Sequence, residues 1–114
     1  MTYKPSTIVR VPFPFVDSRA SKNRPALVIS TEEYNSTHSH SVMAMITSAK
    51  HSRWPSDIPI SDLSSTGLSS PSIIRFKLFT LDNHLIADAV GKVAGEDWIA
   101  VLKTLGGILA TQKV

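Results

Sequence analysis

Apolar and polar residues alternate near the start of the chain. Val9, Val11, Phe13 and Phe15 interleave with Arg10, Pro12, Pro14 and Val16. That is the period-2 pattern of a strand with one buried face. Pro12 and Pro14 cannot donate to a ladder, so this strand is expected at a sheet edge, or its pairing stops early. Ala26–Ser30 and Val42–Ser48 are apolar on both faces and predict two interior strands. Ile58–Ile60 predicts a short strand. In Ile73–Thr80, Ile74, Phe76 and Leu78 fall on one face and Ile73, Arg75, Lys77 and Phe79 on the other. Leu85–Ala94 predicts short β pieces. The segments 31–41, 49–57 and 61–72 are polar and predict loops.

The last segment changes period. Trp98, Ile99, Val101, Leu102, Leu105, Ile108 and Leu109 recur at helical spacing and predict one apolar stripe. Glu96 and Asp97 sit in the first turn, where negative charge suits the helix dipole. Gly106 and Gly107 weaken the helix interior by roughly 1 kcal/mol each unless close packing needs them. Short strands followed by one terminal helix predict a mainly β domain: a small, strongly bent barrel of antiparallel strands with a helix against it.

The chain has 114 residues and no internal repeat or linker, which predicts one domain over 1–114. It has no cysteine, so disulfides and thiolate metal sites are excluded. No apolar run approaches the ~18–20 residues of a membrane span, and no secretory signal is visible. A soluble cytoplasmic protein is expected. Net charge is +3 and unevenly spread. Residues 1–54 carry seven Lys/Arg and three Asp/Glu, whereas 55–114 carry five and six. A basic first half suits a polyanionic partner.

Arg24 precedes Pro25, which pushes it into extended geometry. A guanidinium fixed at a strand root, beside a loop carrying Arg19 and Lys22, has the make-up of a phosphate clamp. The alternative is a structural arginine paired with a carboxylate such as Asp17, and the residues taken alone favour it. Thr47 and Ser48 end an apolar run. Their hydroxyls can donate to a phosphate or satisfy a turn. Arg75 and Lys77 lie about 7 Å apart on one strand face and can grip successive phosphates or face solvent. The loop 49–57 mixes Lys50, His51 and Arg53 with Trp54, a combination suited to single-stranded nucleic acid or to a ring packed over the core rim. His38 and His40 lack further ligands in a metal-binding pattern. No P-loop, G-x-G-x-x-G, G-x-S-x-G or H-E-x-x-H motif occurs.

VPFPF, a polar loop, NRPALVIS, MITS, SDIP, GLSSPSIIR and a helix after VGKVAGED occur in that order. From about Thr7 to Leu109 the chain resembles the MazF/PemK-like toxins of bacterial type II toxin–antitoxin systems. The resemblance implies a small SH3-like barrel, a homodimer, and a metal-independent endoribonuclease that cuts single-stranded RNA at short sequences with no cofactor. It implies inhibition by a cognate antitoxin. It makes Arg24 and Thr47 the active-site residues, with Arg75 a third in some members. Arg19, Lys22, Ser48, Arg53, Trp54, Arg75 and Lys77 then become the expected RNA-binding set. The general base is unassigned; Asp17 and His51 are possible helpers.

Three features depart from the family pattern. Ser6 and Thr7 stand where a Gly and an acid often begin the first strand. Lys77 stands where an acid often follows the later arginine. Ala94 and Gly95 replace a Ser cap and a Pro. The related CcdB toxins share the fold but bind DNA gyrase through a Trp near the C-terminus, whereas the last Trp here is Trp98. A non-cleaving RNA or antitoxin binder is a further alternative, favoured by Lys77.

Overall fold

A computed structural model describes residues 2–12, 22–50 and 53–110. The sheet has six antiparallel strands: β1 (Thr7–Pro12), β2 (Asn23–Val28), β3 (His40–Ser48), β4 (Ile58–Pro59), β5 (Ser72–Asp82) and β6 (Asp88–Lys92). Their order is β4-β5-β3-β2-β1-β6, and the sheet curls into a half-barrel. Two helices complete the fold, α1 (Glu32–His38) and α2 (Gly95–Ile108).

Each sheet face carries its own apolar cluster, because strand side chains alternate. Ile8, Leu27, Ile46 and Ile74 on one face pack with Val101 and Leu105 of α2. Val9, Val11, Ala26, Val28, Met43 and Phe79 form the cluster of the other face. The expected partition of β5 holds, with Ile74, Phe76 and Leu78 on the α2 side and Phe79 opposite. A bulge intervenes: Met43 pairs with Phe79 and Met45 with Arg75. Ala44 alone therefore spans Phe76 to Leu78.

The pattern misplaces several elements. β1 is not an edge strand; β2 and β6 flank it. Its pairing with β6 nevertheless stops at Arg10, short of Pro12. Phe13 to Val16 lie outside the described residues. β2 begins at Asn23, earlier than Ala26, so Arg24 sits inside the strand and pairs with Val11. The expected loop 31–41 contains α1. Thr31 caps it, its Oγ1 accepting from the Tyr34 N–H at 3.2 Å, and Glu32 and Glu33 occupy the first turn. α1 buries Asn35, whose Nδ2 donates to the carbonyl of Tyr3 at 2.9 Å. One buried amide, and no apolar stripe, marks this helix, so hydrophobic periodicity missed it.

α2 corrects the expected stripe. Val101 and Leu105 are buried and Trp98 is half-buried, but Ile99, Leu102, Ile108 and Leu109 are exposed. The curled sheet meets only a narrow strip of the helix. Ala94 makes no side-chain cap, as its residue type predicts. Asp97 is 4% exposed and looks outward from the helix. Its carboxylate accepts from the Ser61 hydroxyl at 2.8 Å and the Ser61 and Asp62 N–H groups at 3.2 and 3.3 Å. The first turn thus holds the loop after β4.

Two glycines close that loop onto β6. Gly67 has φ +75, and a Cβ there would meet the Val90 carbonyl oxygen at 2.1 Å. A Cβ on Gly91 would meet the Ser65 oxygen at 2.5 Å. Ser6 holds φ 73 with a side chain present, a left-handed conformation that glycine adopts freely.

Candidate functional site

Arg24 and Thr47 line one cleft from adjacent strands. β2 pairs β3 as Val28 with Met43, Leu27 with Ala44 and Ala26 with Met45. The pairing stops there, two residues short of Arg24 and Thr47. Both share the side of Ala26 and Met45 by alternation. Arg24 is exposed and Thr47 half-buried. Among the described residues, no carboxylate pairs with Arg24. Asp17, the proposed structural partner, lies outside the described residues.

Arg24, Thr47 and Ser48 border a cleft of about 390 Å³ at this end of the sheet. Ser69, Ser70 and Ser72 border it from the facing loop. Arg10 also lines it. The sequence reading treated Arg10 only as the outward residue of a strand, with no motif to single it out.

Arg75 has a different setting. Its side chain is 10% exposed and that of Asp57 is 1% exposed. Nε donates to Asp57 Oδ1 at 3.1 Å and Nη2 to Oδ2 at 2.8 Å. The same Oδ2 accepts from the Trp54 N–H at 2.8 Å. The guanidinium carbon lies 5.2 Å from the Trp54 ring centroid, a cation–π stack. Hydrogen bonding from Arg75 holds the Asp57 carboxyl below its usual range, aided by the Trp54 N–H and opposed by burial. Hydrogen bonding to Asp57 raises Arg75 in turn. Arg75 pairs with Met45, and Thr47 with Ile73. The Arg75–Trp54 group therefore lies one step along the sheet from Thr47. Asp57 was missed by the sequence reading. Its only signal was a turn motif, Trp-Pro-Ser-Asp, which says nothing of Arg75.

The remaining expected residues scatter. Lys22 is exposed just before β2, and Arg53 is exposed beside Trp54. Lys77 is half-buried in the bulged stretch of β5 and does not line the cleft. Arg75 and Lys77 therefore do not form one open cationic face. Arg19 and His51 lie outside the described residues. Among the described residues, no group of three His, Cys, Asp or Glu side chains gathers to hold a metal.

The family model for the PemK-like, MazF-like toxin of type II toxin–antitoxin systems matches residues 4–109. The chain belongs to this family. No curated protein matches it by sequence. Among solved structures it is similar to MazF in a MazE–MazF complex from Deinococcus radiodurans, with 18% identity and a TM-score of 0.75 over 98% of this chain and 99% of that one. It is also similar to an endoribonuclease in complex with its cognate antitoxin from a mycobacterial species, at 15% identity and a TM-score of 0.74, covering 99% and 98%. A third is the Mycobacterium tuberculosis toxin MazF-mt6, at 18% identity and a TM-score of 0.70, covering 89% and 93%. These likenesses establish the MazF fold. No helix among the described residues is long and apolar enough to cross a membrane.

Proposed function

We propose that this MazF/PemK-like chain is an endoribonuclease that cuts single-stranded RNA at selected sequences. The observation that supports the proposal is that Arg24 and Thr47, from adjacent strands, line one cleft.

RNA supplies its own nucleophile. The 2′-OH attacks the adjacent phosphorus and loses its proton as the P–O bond forms. The bond to the 5′-oxygen breaks, and that oxygen takes up a proton. The products are a 2′,3′-cyclic phosphate and a 5′-hydroxyl. The enzyme must align attack and stabilise charge on the non-bridging oxygens. Arg24 provides a fixed cation for those oxygens, and the Thr47 hydroxyl a further donor. The chemistry requires no metal. Arginine stays protonated and is a poor base, so the base comes from another group.

In this reading Trp54 is a platform for a base, held by Arg75 and Asp57. Arg75 acts through Trp54 and Asp57. Lys22, Arg53 and Lys77 add backbone attraction. A cognate antitoxin restrains the toxin in this reading; that two neighbours were solved as toxin–antitoxin complexes supports such a partner. Self-association is supported by Ile99, Leu102 and Leu109, exposed along one side of α2.

The test is purified protein incubated with single-stranded RNA in EDTA. Cleavage leaving cyclic-phosphate ends supports the reading. Intact RNA, or equal cutting by Arg24→Ala, refutes it.

A further inference from the structure

The cleft has a second chemical wall that the Arg24–Thr47 mechanism does not use. Arg10 alternates with Val9 and Val11, so it lies on the α2 side of β1 with Ile8. Its Nε donates to Asp88 Oδ1 at 2.8 Å, and its Nη2 donates to Oδ2. The two side chains are 51% and 46% exposed. An ion pair so exposed adds little to folding, so stability gives no reason for it. It uses two of the five guanidinium N–H donors. Three remain, on a group whose orientation Asp88 fixes.

The surroundings of Arg10 have the chemistry of a nucleotide site. Pro25, Ile46, Leu68 and Val90 give an apolar lining. Ser69 and Ser70 give hydroxyls that hydrogen-bond no other described side chain. They are brought there by Gly67, whose backbone presses on the Val90 carbonyl too closely for any side chain. The volume, about 390 Å³, falls within the usual range of small-molecule sites. An apolar bed suits a base, free hydroxyls suit its polar edge, and an oriented guanidinium suits its phosphate.

We propose that this cleft is a nucleotide subsite, taking one nucleotide of the RNA strand beside the scissile bond, with Arg10 binding its phosphate. Asp88 is the positioning residue for Arg10. Ser69 and Ser70 read the base edge and so contribute to sequence selectivity. Alternation sets the Arg24 and Arg10 side chains on opposite faces of the sheet, and both residues border this cleft at its end. The inference rests on the endoribonuclease reading.

The experiment uses a single-stranded transcript whose cut site is mapped with wild-type protein. It also uses the same RNA made uncleavable by a 2′-deoxy substitution at that site. Arg10→Ala is expected to raise KM at least tenfold, the loss falling mainly on KM. Its binding to the uncleavable RNA should show a salt slope shallower by about 0.7, the value of one single-strand phosphate contact. Arg10→Lys keeps the charge and should keep the slope while recovering part of the lost affinity. If wild type cuts while Arg10→Ala leaves KM and slope unchanged, the subsite is refuted and the endoribonuclease reading stands. If wild type neither cuts nor binds RNA, both fall.

Discussion

Arg75 grips Asp57 from β5 through two hydrogen bonds, at 3.1 and 2.8 Å, with both side chains almost wholly buried. That pair fixes the turn carrying Trp54 against the sheet. A cation that sequence alone offers to RNA is thereby committed to the protein.

Removing one partner should be costly. Asp57→Ala takes the carboxylate away from a buried guanidinium, a change typically worth about 3–5 kcal/mol. Denaturant unfolding should show that loss, and Trp54 fluorescence should report a more mobile ring.

The same pair makes stability depend on pH with a defined sign. The Asp57 carboxyl is held below its unfolded value of 3.8. Its contribution is therefore fully present above that value and is lost as pH falls through the lower folded value. Melting temperature followed downward from pH 5 should fall more steeply for wild type than for Asp57→Asn, which starts lower.

Ser6 holds a left-handed φ of 73. Left-handed geometry costs a non-glycine residue roughly 1–2 kcal/mol, offset in part by the greater unfolded freedom of glycine. Ser6→Gly should stabilise the fold by up to about 1 kcal/mol, a rise of roughly 4–6 °C in Tm. A scanning-calorimetry comparison checks it.

The glycines of α2 should behave oppositely to those under the cleft. A Cβ at Gly106 or Gly107 meets nothing within 4 Å, so alanine at either should stabilise by roughly 0.5–1 kcal/mol. Gly67→Ala collides with the Val90 backbone and should destabilise. Chemical denaturation of the three variants orders them.

Much of the fold was legible, because most strands bury one or both faces and so print their period on the sequence. Ile74, Phe76 and Leu78 fall where expected. What was not legible depends on long-range pairing. β1 alternates whether or not a neighbour covers it, so its pairing with β6 could not be foreseen. α1 is stabilised by its Thr31 cap and a single buried amide, which leave no hydrophobic period. The site divides similarly. Arg24-Pro25 and the threonine closing β3 are local signals, but their arrival at one cleft comes from the fold. Asp57 lies 18 residues from Arg75 and Asp88 lies 78 from Arg10. Local patterning cannot report such pairs.

The central claim is that Arg24 and Thr47 act together on one RNA phosphate. Its most direct test is single-turnover cleavage of a mapped single-stranded RNA, in EDTA, by wild type, Arg24→Ala and Thr47→Ala. The account predicts cyclic-phosphate products from wild type and a rate loss of about 10²–10³ for Arg24→Ala, the scale of removing one transition-state donor. A smaller but clear loss is predicted for Thr47→Ala. Wild-type rates from folded Arg24→Ala, or no cleavage by wild type on any single-stranded RNA, would contradict it.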